Sequence, residues 1–216
     1  MKNLKVVIPA VLLFLLAGCI PSYTLVSKGV TAVDTLYVDA GTGWNRAPPG
    51  NVYTGDRKNS ERWTQDGLSL NALVFIPAVP DGEALITSSA KDAALPTFRK
   101  DMLANEIEEL AQSTFVKRFG EGNSVVTTSN LRPHRFGEHR GIMFDLEATV
   151  TETPKYEGVA GAFIADEQLY FMYYLGATPY YHDKYREQAE ATIRSATLTP
   201  PAPPAPPAPP APPAEE

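Results

Sequence analysis

The segment Leu169-Tyr170-Phe171-Met172-Tyr173-Tyr174-Leu175 carries an apolar or aromatic side chain at every position. Successive side chains on a strand point to opposite faces, so a run of this kind is a strand buried on both sides. Whatever fold the chain adopts must place this strand inside a sheet and supply a cover for each face. Asp166-Glu167 separates the strand from a second apolar run, Val159 to Ala165, and the two together predict a hairpin.

Other strands follow from alternation. From Gly141 to Thr151, Ile142, Phe144, Leu146, Ala148 and Val150 point one way, whereas Asp145, Glu147, Thr149 and Thr151 point the other, so one face is wet. Ser124 to Asn130 reads as a strand. Glu61 to Leu68 reads as a strand, a tight turn at Asp66-Gly67 and a returning strand, with Leu68, Leu70, Ala72, Val74 and Ile76 alternating until Pro77 to Gly82 breaks the run. Ala84 to Thr87 resumes it briefly. Nearer the N-terminus, Thr31 to Val38 predicts one strand and 41–50 a loop. Gly41 and Gly43 have neither the spacing nor the following helix of a phosphate cradle, so no cofactor is indicated there.

Two segments have helical periodicity. Thr97 is placed to cap the first, Pro96 stands just outside it, and Met102, Leu103, Ile107, Leu110, Ala111, Thr114 and Phe115 mark its apolar face up to Gly120 and Gly122. Glu106, Glu108, Glu109 and Gln112 form the solvated face. The second begins at Thr178-Pro179, with Tyr181, Tyr185, Ala189, Thr192, Ile193 and Ala196 as its inward stripe. An antiparallel sheet packed by helices, an α+β fold or α/β sandwich, is the expected architecture.

The two ends have different chemistry. Lys2 and Lys5 precede an apolar run from Val6 to Leu16, about half the ~20 residues a spanning helix needs, which is the layout of an export signal. Leu16-Ala17-Gly18-Cys19 resembles the lipobox of bacterial lipoproteins. That resemblance implies acylation of the Cys19 thiol, cleavage just before it and attachment to a lipid bilayer; in a Gram-negative cell, Ile20 resembles the pattern passed to the outer membrane, facing the periplasm. At the other end, Pro-Pro-Ala repeats five times from Pro200 to Ala214. As polyproline II this is an extended rod roughly 45 Å long, serving as a stiff spacer or as a ligand for an aromatic groove. The expected division is a signal at 1–18, a lipidated N-terminus and strand region at 19–60, a globular domain at 61–199 and the repeat tail at 200–216.

Cys19 is the only cysteine, so once it is acylated no disulfide can form and packing must hold the fold. The formal charge is −6, and becomes more negative once Lys2 and Lys5 are removed. Such a surface repels phosphate backbones, which argues against a nucleic-acid partner, and leaves membrane affinity to the lipid.

Three sets of side chains invite a chemical reading. His134, Glu138 and His139 have metal-ligand chemistry, but Arg132, Arg135 and Arg140 surround them with positive charge, and an exposed polar hairpin is the favoured alternative to a metal site. Ser129 with His134 and Glu138 could make a hydrolase triad, although no nucleophile-elbow glycines flank the serine. Tyr173, Tyr181 and Tyr185 belong to a tyrosine-rich region that either lines a ligand cleft between the last strand and last helix or joins helix to sheet as core.

Taken in order, the hairpin at Trp63 to Leu68, the single long central helix, the strands after Arg140-Gly141, the Leu169-Tyr170 strand and the closing helix ending near Ile193 resemble the PsbP-like fold. The resemblance spans roughly 60 to 197 and brings no catalytic motif to transfer. Together with the lipobox-like motif, the first expectation is a non-enzymatic envelope lipoprotein acting as a binding or assembly module, with an envelope protein as the candidate partner. The alternatives are a small-molecule or metal-binding accessory lipoprotein and, third, an envelope hydrolase.

Overall fold

The computed structural model describes residues 22–49, 56–87 and 94–200. Leu16, Ala17, Gly18, Cys19 and the Pro-Pro-Ala repeat after Pro200 lie outside the described residues.

The all-apolar run becomes β10 (Gln168–Ala177), paired on one side with β9 (Tyr156–Ala165) and on the other with β6 (Asn71–Pro80). Asp166 and Glu167 turn the hairpin with both φ angles positive, the twist a two-residue reversal needs. Beyond β9 come β8 (His139–Val150) and the edge strand β7 (Ser124–Phe136). Beyond β6 come β5 (Glu61–Thr64), β4 (Trp44–Arg46) and the opposite edge, β1 (Thr24–Val26). The eight strands run in the order β1-β4-β5-β6-β10-β9-β8-β7, every pairing antiparallel.

Alternation along β10 divides the core in two. Leu169, Phe171, Tyr173 and Leu175 face the layer made by α1 (Ala104–Phe119), where Ile107, Leu110, Ala111 and Phe115 meet Val74, Phe98 and Phe144. Tyr170, Met172 and Tyr174 face the other layer, made by α2 (Tyr180–Arg194) and a separate hairpin of β2 (Val30–Val33) and β3 (Leu36–Asp39). Trp44, Trp63, Phe75, Phe136 and Phe163 fill that second core. Each fully buried ring or branched chain contributes about 1.5–3 kcal/mol, and in the absence of disulfides this packing carries the fold. The sheet is antiparallel and covered by helices, as an α+β reading requires.

Several local expectations are corrected. Thr31 to Val38 is two strands, because Asp34 takes a left-handed φ of 53° and reverses the chain between Val33 and Leu36. The expected loop at 41–50 contains β4, too short for periodicity to reveal, which buries Trp44 between β1 and β5. Pro77 does not end β6: Ala78, at φ 52°, absorbs an irregularity opposite Leu169 and Phe171, and the strand continues to Pro80. Leu68 and Leu70 lie in the turn before β6. Thr97 does not cap a helix; it bridges Ala84, while Phe98 exchanges backbone bonds with Gly82 and Glu83. The helix starts later, at Ala104, and the N–H of Leu103 just ahead of it donates to Glu106 at 2.7 Å. β7 runs on past Asn130 to Phe136. On α2, His182 occupies the buried place expected of Tyr181, which is only half-buried.

β1 and β4 share a sheet with β5, so the segment before Glu61 and the segment after it form one layer.

Candidate functional site

The tyrosine region divides along the sheet. Tyr173 lies on the α1 face, its ring edge-on to Phe115 at 4.8 Å and tilted against Phe171 at 5.9 Å. Tyr185 lies on the α2 face, 6.4 Å from Trp44, with the Lys184 ammonium 4.7 Å from its ring centre. Tyr181 packs on that second face also, and its carbonyl accepts a 2.8 Å bond from the Tyr174 hydroxyl. The expected cleft shared by Tyr173, Tyr181 and Tyr185 is therefore corrected: the thickness of the sheet separates the first from the other two. Single-residue alternation on β10 is the cause, since Tyr173 and Tyr174 cannot point the same way. Burial of the Tyr174 phenol, with help from Tyr185 and Asp66, pushes its pKa well above the ordinary tyrosine value, so it stays neutral and serves as a donor.

His134, Glu138 and His139 sit at the tip of the β7–β8 hairpin, where Gly137 turns the chain at φ 57°. His134 stands edge-on to Phe136 at 4.7 Å and places Nε2 3.2 Å from the Arg194 carbonyl. His139 stacks on Phe163 at 5.5 Å. Arg135 donates to the Glu138 backbone carbonyl at 3.0 Å. Both imidazoles thus pack against aromatic rings, and among the described residues no three His, Cys, Asp or Glu side chains converge to hold a metal ion. Ser129 and His134 lie on one strand opposite Asp145 and Gly141, four steps apart on β8 or roughly 13 Å, with an irregularity between them. That distance keeps the serine from the imidazole and rules out a triad of Ser129, His134 and Glu138.

Two ionic clusters organise the surface instead. On the α1 face, both Arg62 and Arg118 bind the Asp56 carboxylate, Arg62 through two nitrogens and Arg118 at 3.2 Å. Burial acts to raise the Asp56 pKa, but the bonds and charge of Arg62, reinforced by Arg118, outweigh it and hold the group below the usual carboxylate range. On the α2 face, Arg132 reaches both Asp145 and Glu190 at 3.2 Å, Arg186 binds Asp145 at 3.1 Å, and Arg194 binds Glu190 at 2.6 Å. Burial opposes ionisation of Glu190, and Arg194 followed by Arg132 overcomes it, so its pKa too is lowered. These clusters clamp each helix to the sheet. Sequence reasoning missed both, although the i, i+4 spacing of Arg186, Glu190 and Arg194 was a legible signal for the second. Asp56, Arg62 and Arg118 have no such local signal, because Arg62 on β5 and Arg118 near the end of α1 meet only through the Asp56 carboxylate in the folded chain.

Two hollows open on the described surface. One, of about 540 Å³, is lined by Arg57, Lys58, Asn59, Glu83 and Thr87. Another, of about 240 Å³, lies between the start of α1 and the β8–β9 pair, with Met102, Ile107, Ile142 and Ile164 as its apolar floor and Arg140 on its lining. Neither includes Tyr173, Tyr181 or Tyr185.

No protein-family model matches the sequence, and no curated protein matches it. Among solved structures, that of cyanobacterial PsbP (CyanoP) from Synechocystis sp. PCC 6803, determined in solution, aligns with a TM-score of 0.51 at 12% identity. The alignment covers 84% of this chain and 97% of that one. The domain is PsbP-like in fold. At such identity the likeness is one of architecture, and it extends over more of the chain than the stretch from 60 to 197 that carried the resemblance in sequence.

Proposed function

We propose that this chain is a membrane-anchored envelope lipoprotein whose PsbP-like domain works as a non-enzymatic binding or assembly module. Cys19 is the acylated residue, Leu16, Ala17 and Gly18 are the recognition residues ahead of the cut, and an envelope protein is the partner class. In a Gram-negative cell the site of action is the periplasmic face of the outer membrane. One observation carries the reading: a lipobox-like Leu16-Ala17-Gly18-Cys19 stands directly ahead of a domain whose first strand begins at Thr24. A folded unit tied this closely to acyl chains works at the bilayer surface, and two or more chains make the tie effectively permanent.

The test is Cys19→Ser in the native cell, followed through membrane fractionation with salt washes and mass spectrometry of the mature N-terminal peptide. Wild-type protein is expected in the membrane pellet with an acyl-modified N-terminal cysteine. A serine variant that still pellets, or an unmodified wild-type peptide, overturns the assignment.

A further inference from the structure

Leu25 is 73% exposed and Tyr23 48%, and both are large apolar side chains at the edge of the main sheet. On β1, Leu25 faces away from the core that its neighbour Val26 enters, and Tyr23 is the exposed residue directly ahead of the strand. Four chain steps separate Cys19 from Tyr23. At about 3.3–3.6 Å per residue these cannot span more than roughly 14 Å, however they are arranged. The headgroup layer on one side of a bilayer is about 5–8 Å thick, so a cysteine acylated at the hydrocarbon boundary keeps Tyr23 in that layer or at most about 6–9 Å beyond it.

Resting on the acylation of Cys19, we propose that the β1 edge is a bilayer contact surface, with Tyr23 and Leu25 seated in the headgroup region. A phenol suits that depth because its ring is apolar and its hydroxyl stays wet; a leucine beside it adds apolar area without charge. The acidic character of the chain selects the same mode, since it gives no electrostatic attraction to anionic lipid and leaves the contact apolar. Seven strand spacings of about 4.8 Å place β7 roughly 34 Å across the sheet from β1, so a residue on β7 is a distant control.

Because Cys19 is the only thiol, the chain from Cys19 to Glu216, which holds every described element, can be coupled through it to maleimide-bearing lipid in phosphatidylcholine vesicles. Trp44 and Trp63 are fully buried and provide a constant background, so Tyr23→Trp and, as a control on β7, Leu131→Trp report local environment. With vesicles brominated in the acyl chains, the indole at position 23 is expected to lose most of its emission relative to the parent chain, and the indole at 131 none. Adding Leu25→Asp should restore emission at 23. Equal quenching at the two positions, or none at either with coupling verified by mass, overturns the proposal. Protection from aqueous acrylamide at 23 without bromine quenching overturns it also, by assigning the surface to a second copy or another protein. The chemical tether supplies the anchor regardless of what the cell does, so this result is independent of whether Cys19 is acylated in vivo.

Discussion

Replacing Asp56 by Asn keeps the shape of the side chain and removes the charge that two arginines share. The Arg62 and Arg118 side chains are 10% and 12% exposed and the Asp56 side chain 23%, so the three charges meet in a largely dry site between β5 and the end of α1. Removing one partner from a buried ion pair costs about 3–5 kcal/mol. Two features reduce that figure here: Asp56 keeps some contact with water, and Arg62 also interacts with Tyr173. The expected loss is about 2–3 kcal/mol, or roughly 5–10 °C in Tm for a domain of this size. Urea unfolding at pH 7, read by tryptophan fluorescence, measures it. A cycle with Arg118→Met isolates the part due to that arginine. The pH dependence carries a sign. The folded pKa of Asp56 lies below its ordinary 3.8, so its contribution is complete above that value and disappears as pH falls through the folded pKa. Wild-type stability should therefore fall more steeply than that of Asp56→Asn below about pH 4, and the two curves should converge in stronger acid. A variant within about 0.5 kcal/mol of wild type at pH 7, or a gap that widens in acid, refutes the argument that this carboxylate neutralises buried guanidinium charge.

Two further substitutions test the sheet. A Cβ added at Gly158 would overlap the Tyr174 carbonyl oxygen on the neighbouring strand, whereas one at Gly161 would meet the Ile193 Cγ2 at 2.6 Å and the Phe136 Cζ at 2.9 Å, both side-chain ends. Backbone yields less than a methyl or a ring edge, so Gly158→Ala is expected to cost about 3 kcal/mol and Gly161→Ala about 1–2, compared by urea midpoints. The reverse order would show that β9 can move away from β10. At the β9–β10 turn, Glu167 holds φ 62°, a strain glycine does not have, and its ion pair with Lys100 at 2.6 Å is exposed. Glu167→Gly should stabilise the domain by about 0.5–1 kcal/mol in thermal unfolding, and a loss of stability would mean that the exposed pair matters more than the backbone.

What the sequence made legible follows from the range over which each signal acts. β10 was readable as a doubly covered strand because seven consecutive apolar residues have no soluble arrangement other than burial on both sides, and the apolar face of α1 was readable because five of its residues repeat at helical spacing. Element ends were harder. Thr97 has the side chain of a helix cap, yet the bonds of Phe98 to Gly82 and Glu83 hold that stretch against the turn after β6, and a tertiary contact of this kind leaves no trace in local pattern. β4 illustrates the same limit from the other side, since three residues become a strand only because β1 and β5 are there to receive them. Site reasoning failed for a sharper reason. Tyr173, Tyr181 and Tyr185 are close along the chain, but closeness in sequence says nothing about which side of a sheet a side chain occupies unless strand parity is followed through the turn into the helix. Parity assigns Tyr173 to the face of α1, and the Tyr174 hydroxyl, bonded to the Tyr181 carbonyl, ties the start of α2 to the other face. The same parity rule read at the opposite edge turns Val26 inward and Leu25 outward, which with the exposed Tyr23 just ahead of β1 leaves apolar surface a few residues from Cys19. The side of the sheet on which a residue falls thus removes one candidate site and creates the other.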